Sequence, residues 1–419
     1  MPAAEETAKA SAAAGDPRAQ GRLPRSYVLW LVGVLVSLAG NAVFYFALGW
    51  AASDYGGSIA GLTLSAITLP RVLLLLVGGA VSDRVSARRV LISGDAAMLV
   101  FSLVLAVVAY HLGTPPLLLI ATGIAVGVVD AFYLPASGAM PRRLVAKDRL
   151  PRALSLRQAG GQVINMGGGP LGGVLVGVAG FAGAAVVNAV TFAFTLVVLV
   201  AIRPRHDVPS APRTALLKEA MDGMRVAFSH AVLRPSLLLT GAAAGFMLPV
   251  LSLLVPLLAR QGEWGAGAAG LVIGAQGVGM VVITLVVVKN GPLGRPGLLS
   301  ASALVLAGVG VLALGLSSSV TGAMVAGLII GVGNGAFSAH IAPLVLASAP
   351  ETHLSRIQAV LVLVQSLALV FMNSVLGTLA ELQGAAVVVV TCGIVLVGVG
   401  LSGLACGPLR RDRTGLGGR

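Results

Sequence analysis

Residues 78–91 read GGAVSDRVSARRVL. One carboxylate, Asp83, and three guanidiniums, Arg84, Arg88 and Arg89, are crowded into a short polar interval between two long apolar runs. A turn this short sets the carboxylate beside the guanidiniums and beside the ends of both flanking helices. Such a cluster can latch two helices together and release them when they part. The runs on either side, 59–81 and 90–111, each exceed the ~20 residues that a helix needs to cross a bilayer.

The same alternation continues in both directions. Apolar runs fall at 27–50, 59–81, 90–111, 117–139, 156–179 and 182–202, then at 237–258, 268–288, 298–317, 320–342, 357–378 and 385–405. In lipid every backbone polar group must be satisfied within the segment, so these runs read as helices rather than open strands. The expected fold is an all-α membrane protein of twelve transmembrane helices in two six-helix bundles. The expected segments are a disordered tail at 1–26, an N-terminal bundle at 27–202, a linker at 203–236, a C-terminal bundle at 237–405 and a basic tail at 406–419. Within the linker, residues 214–230 have helical amphipathic spacing and predict a helix along the membrane surface.

Composition agrees. Of 419 residues, 57% are hydrophobic and only 10% charged, against about 25% charged in a soluble domain. This excludes a disordered chain, a nucleic-acid-binding domain and almost any soluble enzyme. The 56 glycines point to membrane helices that approach closely and slide. Cys392 and Cys406 cannot build a disulfide framework or a four-ligand metal site. The N-terminal tail lacks the apolar core of a signal peptide.

The net charge of +13 is a topology signal. With alternate loops assigned to one side, 26 of the 28 Lys and Arg residues gather there, while Arg260 falls on the opposite side and Arg71 inside a span. The positive-inside rule then places both termini in the cytoplasm. The expected location is the cytoplasmic (inner) cell membrane, crossed many times.

Gly79, Asp83, Arg84, Arg88 and Arg89 fall on the signature that transporters of the major facilitator superfamily carry between helices 2 and 3, roughly G-x-x-x-D-R-x-G-R-R. Ser86 stands where glycine is usual and Ala87 where arginine is common. Within that superfamily, LPRVLLLLVGGAVSDRVSARRVL and DAFYLPASGAMPRRLVAKDRLPRALSLRQAGG resemble the branch of enterobactin-exporter-like and macrolide-efflux-like proteins. Pro135, Ala136, Pro141, Leu150 and Ala153 carry that likeness. Pro343 and PETHLSRIQAV at 350–360 echo it weakly in the second half, as a rocking two-bundle transporter requires. The counterpart of the first loop, VVVKNGPLGRPGLL at 286–299, keeps Lys289 and Arg295 but has no acid, so any latch there differs.

GGGPLGG at 167–173 resembles the antiporter signature of helix 5, G-P-x-x-G-G. Gly169 and Pro170 fit, while the closing pair, Gly172 and Gly173, sits one residue early. Proline among glycines allows a span either to bend as a gate or simply to pack closely.

Ionisable residues inside spans are costly, and so are candidates for function. Arg71 and Asp130 lie about 12 and about 13 residues from the outer ends of their spans, at similar depth for a rise of about 1.5 Å per residue. They are expected to pair, either as a structural bridge or as a proton or substrate contact. Asp95 is expected to join the cytoplasmic cluster of Arg88 and Arg89. His340 and His111 read as interfacial histidines.

In the superfamily, helices 1, 4, 7 and 10 line the central cavity, with 2, 5, 8 and 11 at its sides. The resemblance therefore implies Asn41, Tyr45, Asp130, Gln162, Asn165, Gln276, Asn334 and Gln365 as cavity groups. The polar stripe Asn188, Thr191 and Thr195 is left to packing. Span 7, with Phe246, Met247 and Pro249, has no charge in its middle, which suits a bulky amphipathic ligand.

No nucleotide-binding loop, metal-ligand cluster or nucleophile constellation is present, so neither an enzyme nor a cofactor is expected. The expected function is secondary active export of a drug-like or secreted small molecule by alternating access, with proton antiport, by a monomer in the lipid bilayer. Nucleic acid is not an expected partner. The alternatives are an importer or facilitator on the same fold, or a non-transporting receptor or assembly factor.

Overall fold

A computed structural model describes residues 23–202, 216–290, 295–350 and 353–411. The chain is helical almost throughout, with no strand among the described residues. The long helices are α1 (Arg25–Ala52), α2 (Gly57–Val85), α3 (Ala87–Leu112), α4 (Pro116–Leu144) and α5 (Leu150–Ala201). The short α6 (Leu216–Ser229) precedes α7 (Leu233–Gln261), α8 (Gly265–Asn290), α9 (Pro296–Gly315), α10 (Val320–Ser348), α11 (Leu354–Gln383) and α12 (Ala385–Ala405). Among the described residues, eleven helices are long and apolar enough to cross a membrane.

One of the eleven, α5, has 52 residues, far more than one crossing needs. It reverses at Gly180, whose φ of 63° and ψ of −167° are open to glycine and strained for other residues. Packing against α1 shows the reversal. Leu35, Ala42 and Phe46 meet Gly160, Gly168 and Gly172 in rising order, so 150–179 runs parallel to α1. Gly33 and Gly40 meet Thr195 and Thr191 in falling order, so 181–201 runs back. Gly180 carries no hydropathy signal of its own, but the apolar runs 156–179 and 182–202 stop on either side of it.

Several helices outrun their apolar stretches at the end where the basic residues gather. The α2 helix continues to Val85, α4 to Leu144 and α10 to Ser348. An apolar run marks contact with lipid, whereas a helix can extend past it into water until something caps it. Ser86 supplies that break after α2, with φ at 100° and ψ at 136°, and its hydroxyl accepts from the Arg89 N–H at 3.4 Å. A non-glycine residue held at such a φ costs about 1–3 kcal/mol. This is the position where the superfamily signature has glycine.

The helices form two sets, α1–α5 and α7–α12. They meet along two seams, α2 against α11 and the first limb of α5 against α8. Both seams are built from small residues. Gly57 and Gly377 stack main chain on main chain, as do Gly173 and Gly270. A side chain at either position would push the sets apart. The α7 helix contains two wide π turns, Ala243–Met247 and Val250–Leu254, on either side of Pro249. Turns of this kind often mark functional positions in helices. The described part of α6 packs on the start of α11, Met224 and Ala227 against Val360, Leu361 and Val364, so α11 covers a share of its apolar face that was expected to meet the membrane.

Candidate functional site

Between the two sets lies a cavity of about 310 Å³. Tyr45 on α1, Thr68 and Arg71 on α2 and Asn165 on α5 bring polar groups from the first set. Ser252 on α7 and Asn373 on α11 bring them from the second, among leucine, isoleucine and proline. Asp130 on α4 stands behind this lining. Its Oδ2 accepts from the Tyr45 hydroxyl at 2.9 Å and lies 3.6 Å from the Arg71 guanidinium. The Arg71 and Asp130 side chains are 28% and 15% exposed, so the pair is largely withdrawn from water yet borders the cavity. Three helices thus converge on one carboxylate. A buried charge retained in this way needs its partner, because losing one member strands the other.

The remaining cavity candidates are scattered. Gln162 donates to the sulfur of Met280 at 2.9 Å, across the α5–α8 seam. Asn41, Gln276 and Asn334 are half-buried in helix packing, and Gln365 is exposed on α11; none of them borders this cavity. Thr68 and Ser252 were missed as cavity groups, and on α11 it is Asn373 rather than Gln365 that borders the cavity. Serine and threonine in an apolar helix look the same whether they face a cavity or a neighbouring helix. Asn188, Thr191 and Thr195 bond within the first set, Asn188 to the Ser102 hydroxyl and Thr195 to the Gly33 carbonyl.

Gly169, Pro170, Gly172 and Gly173 are sandwiched between α1 and α8. Gly169 meets Ile273, Pro170 rests on Gly274, Gly172 abuts the Phe46 ring and Gly173 touches the backbone of Ala266. The helix does not break at Pro170; its break comes at Gly180.

In the loop after α2, Arg88 does not reach towards the second set. Its Nε donates to the Leu199 carbonyl at 3.0 Å and its Nη2 to the Val200 carbonyl at 2.9 Å, closing the C-terminal end of α5. A cation is favoured there by the helix dipole. Arg84 and Arg89 are exposed, Gly79 has open space around its Cα, and the Asp83 side chain lies outside the described residues. Asp95, expected beside Arg88 and Arg89, is instead fully buried between helices.

The end of the molecule opposite the basic loops is closed by a cluster that the sequence marked only through a stray cation. Arg260 at the end of α7 forms an ion pair with Asp54. It also donates to the Ser53 hydroxyl at 2.6 Å and the Trp50 carbonyl at 2.8 Å, and lies 4.2 Å above the Trp50 ring. Beside it the Ser58 N–H donates to Glu381 at 2.8 Å, and Ser65 donates to the Val370 carbonyl at 2.8 Å. All these bonds join the first set to the second. Nearer the basic end, Gln162 bonds Met280 across the α5–α8 seam.

A helical membrane protein whose two sets meet around a partly polar cavity, sealed at one end, has the architecture of an alternating-access transporter. Residues 30–373 match the Major Facilitator Superfamily, and the chain belongs to that family. It is a multi-pass membrane transporter and not an enzyme. Solved structures share its fold at low sequence identity. One is a bacterial homologue of the human lysosomal transporter Spinster, inward-facing and unoccupied, with a TM-score of 0.74, 12% identity, and 94% of this chain and 99% of that one covered. Another is a POT family transporter with a thioalcohol-conjugated peptide, at 0.73, 13%, 93% and 97%. A third is the D323A mutant of the nucleoside transporter NupG, at 0.72, 11%, 91% and 100%. No curated protein matches the chain in sequence.

Proposed function

We propose that this transporter exports a drug-like or secreted small molecule across the cytoplasmic membrane by alternating access, driven by proton antiport. The observation that carries the reading is the carboxylate Asp130, held just behind the wall of a mostly apolar chamber by Arg71 and Tyr45, which line it. Apolar walls with a few polar groups suit an amphipathic cargo. A carboxylate with a breakable cation partner suits exchange of a proton for that cargo.

On this reading the chain crosses twelve times, with α5 contributing two crossings and both termini in the cytoplasm. It folds as two six-helix bundles, 27–202 and 237–405, joined by the linker 203–236, and works as a monomer. The basic end then faces inward and the Arg260 cluster closes the outside. The loop of Gly79, Asp83, Arg84, Arg88 and Arg89 latches one conformation, and the Gly169–Gly173 segment lets α5 slide on α8. The cargo class follows the likeness to enterobactin-exporter-like and macrolide-efflux-like proteins.

Two measurements test this. Cells with and without the chain are challenged with amphipathic antibiotics, dyes and siderophores. Inside-out vesicles are then assayed for uptake of any compound to which the chain gives tolerance. Export predicts lower accumulation in cells and uptake into vesicles that collapses when the pH gradient is dissipated. Accumulation in cells would instead identify an importer, and flux indifferent to the gradient would remove the antiport.

A further inference from the structure

Asp95 on α3 has no exposed surface, and among the described residues neither of its oxygens has a hydrogen-bond partner. It takes part in no ion pair among those residues. A bare carboxylate buried in this way is strongly disfavoured, because nothing replaces the water it has lost. The groups around it are few. From α4 the Tyr133 hydroxyl faces the carboxyl without closing a hydrogen bond in this conformation. Gly94 makes room for the Tyr133 ring against α3, since a Cβ there would come within 3.1 Å of it. Asp130 stands three residues before Tyr133 on α4, about one turn away along the same face.

The second limb of α5, residues 181–201, brings no ionisable side chain. On α3 itself the nearest cations, Arg89 and Arg88, are about 9 and 10 Å away along the helix; Arg89 is exposed and Arg88 is committed to the α5 carbonyls. On α2, Arg71 is engaged with Asp130 and Arg84 is exposed. On α5, Arg157 donates to Ser137 and stacks on Trp30. On α4, Arg142 and Arg143 lie nine and ten residues past Tyr133, about 13–15 Å along the helix, and no ion pair among the described residues reaches Asp95.

We propose that Asp95 is a second proton-binding site of the protein, sealed inside the N-terminal set and coupled through Tyr133 to the cavity carboxylate Asp130. Deprotonation leaves a carboxylate to which the Tyr133 hydroxyl donates. Protonation leaves an acid that needs no cation, and the proton returns to water when the helices part. This goes beyond the export reading, which uses only the proton at Asp130.

The test is infrared difference spectroscopy on the full-length protein in lipid vesicles, stepped between acid and alkaline pH without any cargo. The expected result is a carboxylic-acid carbonyl band that titrates, disappears in Asp95→Asn, shifts in Tyr133→Phe, and changes its midpoint in Asp130→Asn. Proton uptake over the same step should fall by about one per chain in Asp95→Asn. If Asp95→Asn does not fold, the band shift in Tyr133→Phe still decides. Spectra unchanged by these substitutions, or an Asp95 band that persists at every pH, would overturn the proposal. Because no transport is measured, its failure is distinct from failure of the antiport reading.

Discussion

The N-terminal helices carry charge deep into the membrane, at Arg71, Asp95 and Asp130, whereas α7–α12 place Asp, Glu, Lys and Arg only near their ends. To the cavity, α7, α8 and α11 contribute Leu251, Ser252, Pro256, Ile273, Leu369 and Asn373, none of them ionisable. The two sets have the same architecture and meet along matching seams, so the difference lies in chemistry rather than fold. On the proposed reading one set binds protons and the other forms an apolar wall, with the second π turn of α7, Val250–Leu254, packed against the first. On this account coupling resides in the N-terminal set, and the C-terminal set moves against it.

The largest way to disturb this asymmetry is to unpair its central charge. Asp130→Asn leaves Arg71 uncompensated in a mostly buried site, and the expected loss of stability is about 3 kcal/mol. It is to be read as a lower thermal midpoint in detergent. Replacing both with leucine should recover most of that stability without restoring proton coupling. Recovery of both would reduce the pair to a structural bridge.

Tyr45→Phe removes one hydrogen bond to the same carboxylate, worth about 1.5–3 kcal/mol for a charged acceptor. It should shift the pH profile of transport while leaving the fold intact. Gly173→Leu forces a side chain into the backbone of Ala266, where even a Cβ would come within 2.6 Å. Overpacking of this kind costs about 1–3 kcal/mol, and it should hold the two sets apart and stop turnover while cargo binding persists. That would place motion, rather than chemistry, in the α5–α8 seam.

Arg260→Ala removes the cation of the outer cluster. Asp54 is 53% exposed, so solvent screening limits the ion pair itself to about 1 kcal/mol or less. The effect should be a several-fold rise in labelling of a cysteine introduced at Ser252 in the cavity by an impermeant thiol reagent added from outside, with only a small fall in thermal midpoint. Ser86→Gly, which touches neither the cavity nor the seams, relieves the positive φ after α2 and should raise the midpoint by an amount equivalent to about 1 kcal/mol.

Much of the fold was open to reading because lipid makes hydropathy nearly sufficient. Each apolar run had to be a helix. Depth arithmetic likewise put Arg71 and Asp130 on one level, and the structure has them 3.6 Å apart. What escaped was everything that depends on which way an all-round apolar helix faces. Ser252 and Asn373 could have pointed anywhere on their helices. Asp95 shares a helix face with Arg88, seven residues before it, yet it lies two turns deeper and is buried among helices, while Arg88 at the start of α3 reaches the end of α5. Arg260 was recorded as a lone cation, because its partners at Trp50, Ser53 and Asp54 are some 200 positions away and only tertiary packing brings them near.

The most direct test of the central claim is flux through reconstituted Asp130→Asn under an imposed pH gradient, with cargo on both sides of the membrane. The account predicts that the variant still exchanges cargo for cargo but no longer accumulates it in response to the gradient. Gradient-driven accumulation equal to that of the unaltered protein would contradict it.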